Sequence, residues 1–262
     1  MSQSRDEGRL FADLVALMHR LRAPGGCPWD REQTHESLLP YLIEEAYEVV
    51  EAVHHRDDAE LCEELGDVLL QVVFHAELAT ERGAFTINDV IAGIHEKLVE
   101  RHPHVFGDVE VDGAAEVVRN WMQIKRARRR ERGHRDSTLA GVPRGMPALL
   151  RAHRLGQKAA SVGFDWQSPE DVRQKIDEEL REVESAGSEE QRSDELGDLL
   201  FAVASYVRRY GENAELVLHQ GLDRFEERFR RLERLASERG HDLSRLSADE
   251  LESLWQQCKS GD

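Results

Sequence analysis

Apolar residues recur along most of this chain at steps of three and four, the spacing of one face of an α-helix. Leu10, Leu14, Leu17, Met18 and Leu21 open the series and predict an amphipathic helix over residues 8–22. Ala23-Pro-Gly-Gly-Cys-Pro28 ends it in a tight loop, followed by Trp29 and Asp30. A helix is predicted over 36–55, with Pro40 near its first turn, where proline is tolerated. A polar break at Arg56-Asp57-Asp58 leads to a helix over 59–81 that Gly83 stops. Thr86 and Asp89 have the spacing of a capping box for a helix reaching Arg101. Residues 102–107 are a predicted loop, and 114–132 are helical again. Gly133, Gly141, Pro143, Gly145 and Pro147 then mark 133–147 as a linker between 1–132 and 148–262. Beyond it a helix is predicted over 147–161 and a loop at Gly163-Phe-Asp-Trp166. Ser168-Pro169-Glu-Asp171 combines an N-cap, an N1 proline and an acidic first turn, opening a helix that ends near Gly187. Helices over 189–210 and on to 239 follow, and Ser247 with Glu250 caps a last one. No stretch argues for a strand, so the expected fold is all-α.

Two acidic clusters break the apolar pattern, and the chain carries both of them twice. Glu44-Glu45-Ala-Tyr-Glu48 precedes Glu64-Leu-Gly-Asp67; Glu178-Glu179-Leu-Arg-Glu182 precedes Glu195-Leu-Gly-Asp198. Helical residues three apart share a face, so Glu45/Glu48 and Glu64/Asp67 can aim at one point from neighbouring helices. Glu179/Glu182 and Glu195/Asp198 repeat the arrangement. Carboxylates facing each other beside an apolar run repel unless a cation lies between them, which is the pattern of a divalent-metal site in a helical bundle. The repeat extends past the acids. Lys97 and Arg101 correspond to Arg224 and Arg228, both offset by 127, and Trp121 and Lys125 correspond to Trp255 and Lys259, both offset by 134.

Composition narrows the setting. The 262 residues are 40% hydrophobic and 33% charged, which suits a helix-rich chain with a modest core. A formal net charge of -17 argues against a sequence-independent grip on nucleic acid. The first residues, Met-Ser-Gln-Ser-Arg-Asp-Glu, have no apolar stretch of the kind a secretory signal needs. No apolar run approaches the roughly 20 residues of a membrane helix. Cys27, Cys62 and Cys258 show no zinc spacing and read as reduced thiols, so a cytoplasmic protein is expected.

Acids, paired cations and a tryptophan suit a nucleoside polyphosphate. Magnesium prefers oxygen ligands, cations neutralise the phosphate tail, and an indole offers a sequence-tolerant face for a base. A water activated at the metal would be the nucleophile, with Glu178 or Glu44 taking its proton. No Gly-rich phosphate loop is present.

Cys27-Pro-Trp-Asp30, the Glu-Glu-x-x-Glu clusters, Glu-Leu-Gly-Asp, Arg101-His-Pro-His-Val-Phe106 and Gly163-Phe-Asp-Trp166 together resemble the MazG nucleoside triphosphate pyrophosphohydrolases in their two-repeat form. The resemblance runs from about Leu10 to Lys259. It implies two tandem all-α bundle repeats, dependence on magnesium (with manganese as a substitute) and cleavage of nucleoside triphosphates to monophosphate and pyrophosphate. It also implies a homodimer in which helices of two repeats complete each bundle, and a role in removing aberrant or surplus nucleotides. The implied metal ligands are Glu179, Glu182, Glu195 and Asp198, matched in the first repeat by Glu45, Glu48, Glu64 and Asp67. Arg224, Arg228, Trp255 and Lys259 are implied for nucleotide, matched by Lys97, Arg101, Trp121 and Lys125. Lys175, one turn before Glu179, adds a phosphate contact where the first repeat has Tyr41, so the second repeat is the expected main site. Arg224 stands where the family often has lysine, and the two cations differ in geometry.

Plainer readings stand beside these. The acids could be a solvated helix face, the tryptophans could pack in a core or a dimer, and Arg224 and Arg228 could pair with Glu226 and Glu227. The run Lys125-Arg-Ala-Arg-Arg-Arg-Glu-Arg132 reads as an exposed helix end with Lys125 turned to the site. Glu51-x-x-His54 matches one element of a di-iron bundle, but no second copy lies in the other acidic helices, so His54 reads as exposed. Broad base tolerance is expected, since no base-reading motif is evident. The rival functions are a narrow pyrophosphohydrolase for dUTP or phosphoribosyl-ATP, and a helical regulator that binds nucleotide or metal without turnover.

Overall fold

The computed structural model describes residues 3–131 and 137–259, the side chains of 3–7, 115, 119, 122, 126–127 and 129–131 excepted. Every regular element among them is helical. The chain divides into two compact units, 1–127 and 128–262. Of the predicted linker 133–147, residues 133–136 lie outside the described residues, and 137–147 run as turns. Most of the basic run after Lys125 likewise lies outside the described side chains.

The first unit contains α1 (Gln3–Arg22), α2 (Pro28–Glu32), α3 (Leu39–His55), α4 (Asp58–Glu81), α5 (Ile87–Arg101), α6 (Pro103–Phe106) and the start of α7 (Ala114–Glu131). Only Arg56 and Asp57 separate α3 from α4, so the two pack as an antiparallel hairpin. Asp57 caps α4 by accepting from the backbone of Ala59 and Glu60, and the Thr86–Asp89 capping box opens α5 as predicted. Helices α1 and α5 pack on α4. Met18, Leu38, Val73, Phe74 and Leu78 form the buried core where these elements meet.

The second unit contains α8 (Ala148–Ala160), α9 (Pro169–Ser185), α10 (Glu189–Arg209), α11 (Ala214–Glu238) and α12 (Ala248–Lys259), with a single 3-10 turn at Leu243–Arg245. Ser168 is the N-cap of α9 as predicted, and Asp171 bonds back to its backbone to complete a capping box. Helices α9 and α10 form the counterpart hairpin, with α8 lying across α10 and α11. Leu232, Ala236, Leu254 and Cys258 form a small core between α11 and α12.

Three details depart from the predicted elements. Residues 35–38 form a turn, so α3 starts at Leu39 rather than 36. The predicted loop 102–107 contains the short helix α6, because Pro103 supplies a helical φ at its first position. Pro28 does the same for α2, which the apolar pattern did not predict. In the preceding turn Gly26 donates its N–H to Ala23, and a Cβ there would lie 2.2 Å from the Leu21 carbonyl oxygen, so only glycine fits.

Long apolar stripes remain uncovered on both hairpins. Leu65, Leu69 and Val72 on α4 and their counterparts Leu196, Leu200 and Val203 on α10 are all exposed. So are Val90, Ile91, Ile94 and Leu98 on α5 and Leu218, Leu222, Phe225 and Phe229 on α11.

Candidate active site

Each hairpin gathers carboxylates from its two helices. Glu45 and Glu48 lie one turn apart on α3, and Glu64 approaches them from α4; one oxygen from each lies within 4.8 Å of the others. Glu179, Glu182 and Glu195 do the same between α9 and α10. Asp67 and Asp198 fall outside these triads. Asp67 is still close enough for its charge to bear on Glu45. Asp198 is exposed. The structure therefore brings together three of the four acids expected in each repeat.

The first triad sets its carboxylates against one another. Burial, a hydrogen bond with Glu48 and the charges of Asp67, Glu48 and Glu64 push the Glu45 carboxyl up to about 7. Burial and its acidic neighbours, Glu48 foremost, raise Glu64 as well. Clustered carboxylates hold protons this tightly when no cation shares the site.

The second triad is more deeply set. Glu179 is 3% exposed, and its Oε2 is buried without a hydrogen-bond partner. Its Oε1 lies 2.7 Å from the Lys175 ammonium, which also donates to Glu178 Oε1 at 2.7 Å. These bonds to Glu178 and Glu179 raise the Lys175 pKa and hold the Glu178 carboxyl below its usual range. Burial raises Glu182, with the charges of Glu179 and Glu195 adding to it and that of Lys175 opposing. Glu44 and Glu178, the expected proton acceptors, are both exposed beside the triads rather than in them.

The cations and tryptophans sit on the neighbouring helices. Helix α5 packs on α4, and α11 on α10, so each lies against the helix bearing the last acid of its triad. The Arg101 guanidinium stands over the Trp121 ring at 5.1 Å, with His102 at 6.4 Å between ring centroids. Arg101 Nε is buried without a hydrogen-bond partner. In the second unit Lys259 lies 5.8 Å from the Trp255 centroid, and Phe225 packs on the same ring at 5.3 Å. Lys97 and Lys125 are half-buried, Arg224 is exposed and Arg228 half-buried. Glu226 and Glu227 pair with Arg230 and Arg231, at 2.6 Å and 3.5 Å. Trp255 also lines the α11–α12 core, so packing and base stacking are open to one ring. His54 is half-buried rather than exposed, tucked into the last turn of α3.

Two buried arginine clamps were missed in the sequence. Arg22 makes paired bonds to the Glu81 carboxylate at 2.7 and 2.8 Å and also donates to the carbonyl of Asp30. It thereby ties α2, which holds the Cys27-Pro-Trp-Asp30 motif, to α4. In the second unit Arg208 binds the Asp165 carboxylate through both terminal nitrogens, and Arg209 reaches Asp165 and the carbonyl of Gln167. The Gly163-Phe-Asp-Trp166 loop is thus held to α10. Adjacent arginines just before Gly211 were the available signal, but nothing local said which acid they would meet.

The architecture defines the class: all-α chains built from two helical repeats, each presenting a carboxylate triad from a helix hairpin beside cation-bearing helices. Within that class the MazG nucleotide pyrophosphohydrolase domain matches residues 33–106, the stretch holding α3, α4 and α5. The chain is 46% identical over 259 residues to the nucleoside triphosphate pyrophosphohydrolase/pyrophosphatase MazG of Thermotoga maritima, covering 98% of this chain and 99% of that one. It is 42% identical over 252 residues to the nucleoside triphosphate pyrophosphohydrolase of Escherichia coli, covering 94% and 95%. The uncharacterized protein YabN of Bacillus subtilis is 44% identical over 253 residues, which are 95% of this chain and 51% of YabN. The chain belongs to the MazG nucleotide pyrophosphohydrolase family.

Proposed function

We propose that this protein hydrolyses nucleoside triphosphates to monophosphate and pyrophosphate with magnesium, and that the second repeat is the main site. Family membership supports the reaction class. The observation that carries the metal is the buried, unpartnered Oε2 of Glu179 inside a triad of carboxylates. An oxygen-only donor set of this kind fits magnesium, with manganese as a substitute, better than softer metals. Glu179, Glu182 and Glu195 would hold the ion in the second repeat, and Glu45, Glu48 and Glu64 in the first, with Asp198 and Asp67 nearby. When bound, such an ion neutralises phosphate charge and makes a nearby water more acidic.

The remaining work belongs to the protein's own side chains. Lys175, Arg224, Arg228 and Lys259 neutralise the phosphate tail, and Trp255 offers its face to the base. Glu178, exposed beside the triad, would accept the proton of the attacking water at the α-phosphate, with Glu44 its counterpart. A stacking face reads no base edge, which supports broad base tolerance and a role in clearing aberrant or surplus nucleotides from the cytoplasm. The matching apolar stripes on α4 and α10 support a homodimer that covers them.

Pyrophosphate release from the common nucleoside triphosphates with magnesium tests the reading. The Glu179→Gln/Glu182→Gln protein should lose about a hundredfold or more, roughly 2.7 kcal/mol at the barrier. Glu45→Gln/Glu48→Gln should lose much less. Nucleotide binding without pyrophosphate from the wild type would favour the regulator. One nucleotide preferred more than about a thousandfold, near 4 kcal/mol, would favour the narrow enzyme.

A further inference from the structure

The two triads share one spacing, yet the position one turn before the first glutamate of each differs in charge. Lys175 stands one turn before Glu179, its ammonium 2.7 Å from Glu179 and 2.7 Å from Glu178. The corresponding residue before Glu45 is Tyr41, whose ring meets Trp29 edge-on with centroids 6.0 Å apart. The charges that bear on Glu45 are those of Asp67, Glu48 and Glu64, all carboxylates. No described ammonium or guanidinium lies within ion-pair distance of the first triad. A metal reaching the first triad therefore displaces nothing cationic. A metal reaching the second must evict an ammonium that already holds Glu179, an oxygen donor it needs.

We propose that Lys175 is a tethered counterion that makes metal binding at the second triad depend on nucleotide, whereas the first triad takes its ion without nucleotide. This rests on the triads being the metal sites named above. A polyphosphate offers Lys175 a better-solvated anion. As the ammonium turns to it, Glu179 becomes free for the ion and Glu178 free to accept a proton. Binding free energies are reciprocal, so an ion at the second triad favours nucleotide by the same factor that nucleotide favours the ion. Lys175 is in this sense a positioning residue as well as a phosphate contact. Its side chain is 34% exposed, leaving it room to swing out.

An opposite charge at this range changes a carboxylate's affinity for a proton by roughly one to three powers of ten. A divalent ion competes for the same oxygens, so Lys175 should weaken it by at least about tenfold. The test is manganese binding to the full-length chain without nucleotide, followed by titration calorimetry and electron paramagnetic resonance. Glu45→Gln/Glu48→Gln isolates the second triad and Glu179→Gln/Glu182→Gln the first. The isolated second triad should bind manganese at least about tenfold more weakly than the first. Adding Lys175→Met should tighten it by a similar factor, while Lys175→Arg, which keeps the charge, should leave it weak. The comparison between the two triads needs no lysine variant, so it stands even if Lys175→Met fails to fold. Equal affinities with Lys175 in place, or a folded Lys175→Met protein that binds no tighter, would overturn the proposal. Failure of either triad to bind manganese in any variant would instead overturn the metal assignment itself, as would turnover indifferent to divalent ions.

Discussion

Asp165 shows what a single side chain contributes. Burial works against its ionisation, but the bonds and charges of Arg208 and Arg209, with the Trp166 N–H, outweigh that and hold its pKa below the usual value. A lowered folded-state pKa stabilises the native state above the unfolded pKa, about 4, and the benefit fades as pH falls through the folded value. Asp165→Asn should therefore cost about 2 kcal/mol at pH 7, with the deficit shrinking below about pH 4, as followed by urea denaturation. A deficit independent of pH would mean that packing, not charge, holds the loop. At the other end of the site, Trp255→Ala should raise the KM for nucleoside triphosphates by about five- to a hundredfold, equivalent to 1–3 kcal/mol of stacking. Trp255→Phe should restore most of it. A fall in melting temperature with KM unchanged would make Trp255 a core residue only. The residues of the triads were legible in the sequence because three-residue spacing on a helix is local information. The partners of Arg22, Arg208 and Lys175 were not equally legible. Lys175 is one turn from Glu179, but Arg208 and Asp165 are 43 positions apart, and no periodicity links them.

Among the elements, the α3–α4 and α9–α10 hairpins form the triads, because each places two glutamates from one helix opposite one from the next. Their connections are short and strictly shaped. Arg56 closes α3 in the left-handed region, at φ 57, where a side chain is strained. Arg56→Gly should stabilise the protein by about 0.5–1 kcal/mol, net of glycine's greater freedom in the unfolded chain. A loss of stability would show that the Arg56 side chain makes a compensating contact. At the start of α9, Ser168→Ala removes the oxygen that accepts from the Asp171 N–H, at a cost of about 1 kcal/mol by thermal or urea melting. The Ser168 cap reads directly from the sequence, whereas at Arg56 only a polar break does. The short helices α2 and α6 did not, because each holds too few residues to show a period.

At the scale of the molecule, the exposed stripes ask for a partner. Leu65, Leu69 and Val72 repeat as Leu196, Leu200 and Val203, in the same register on equivalent helices. Covering such side chains contributes about 1.5–3 kcal/mol each, against an association cost of about 4–15 kcal/mol. Sedimentation at micromolar concentration should find a dimer, and Leu69→Glu/Leu200→Glu should yield a helical monomer with reduced pyrophosphate release. A wild-type protein that sediments as a monomer would remove the homodimer from the proposal.

The sequence by itself determined the all-α class, the duplication and the identity of the acids. Those features rest on periodicity, capping and order along the chain, which are local or repeat at a constant offset. The tertiary structure decided which acids converge, setting Asp67 and Asp198 apart from the triads and burying Glu179 with one oxygen unpaired. It also decided that, among the described residues, a lysine sits against one triad and none against the other, and which segments the arginines clamp. Those outcomes depend on how far apart two packed helices sit and on what reaches between them, and no spacing along a single helix encodes that distance.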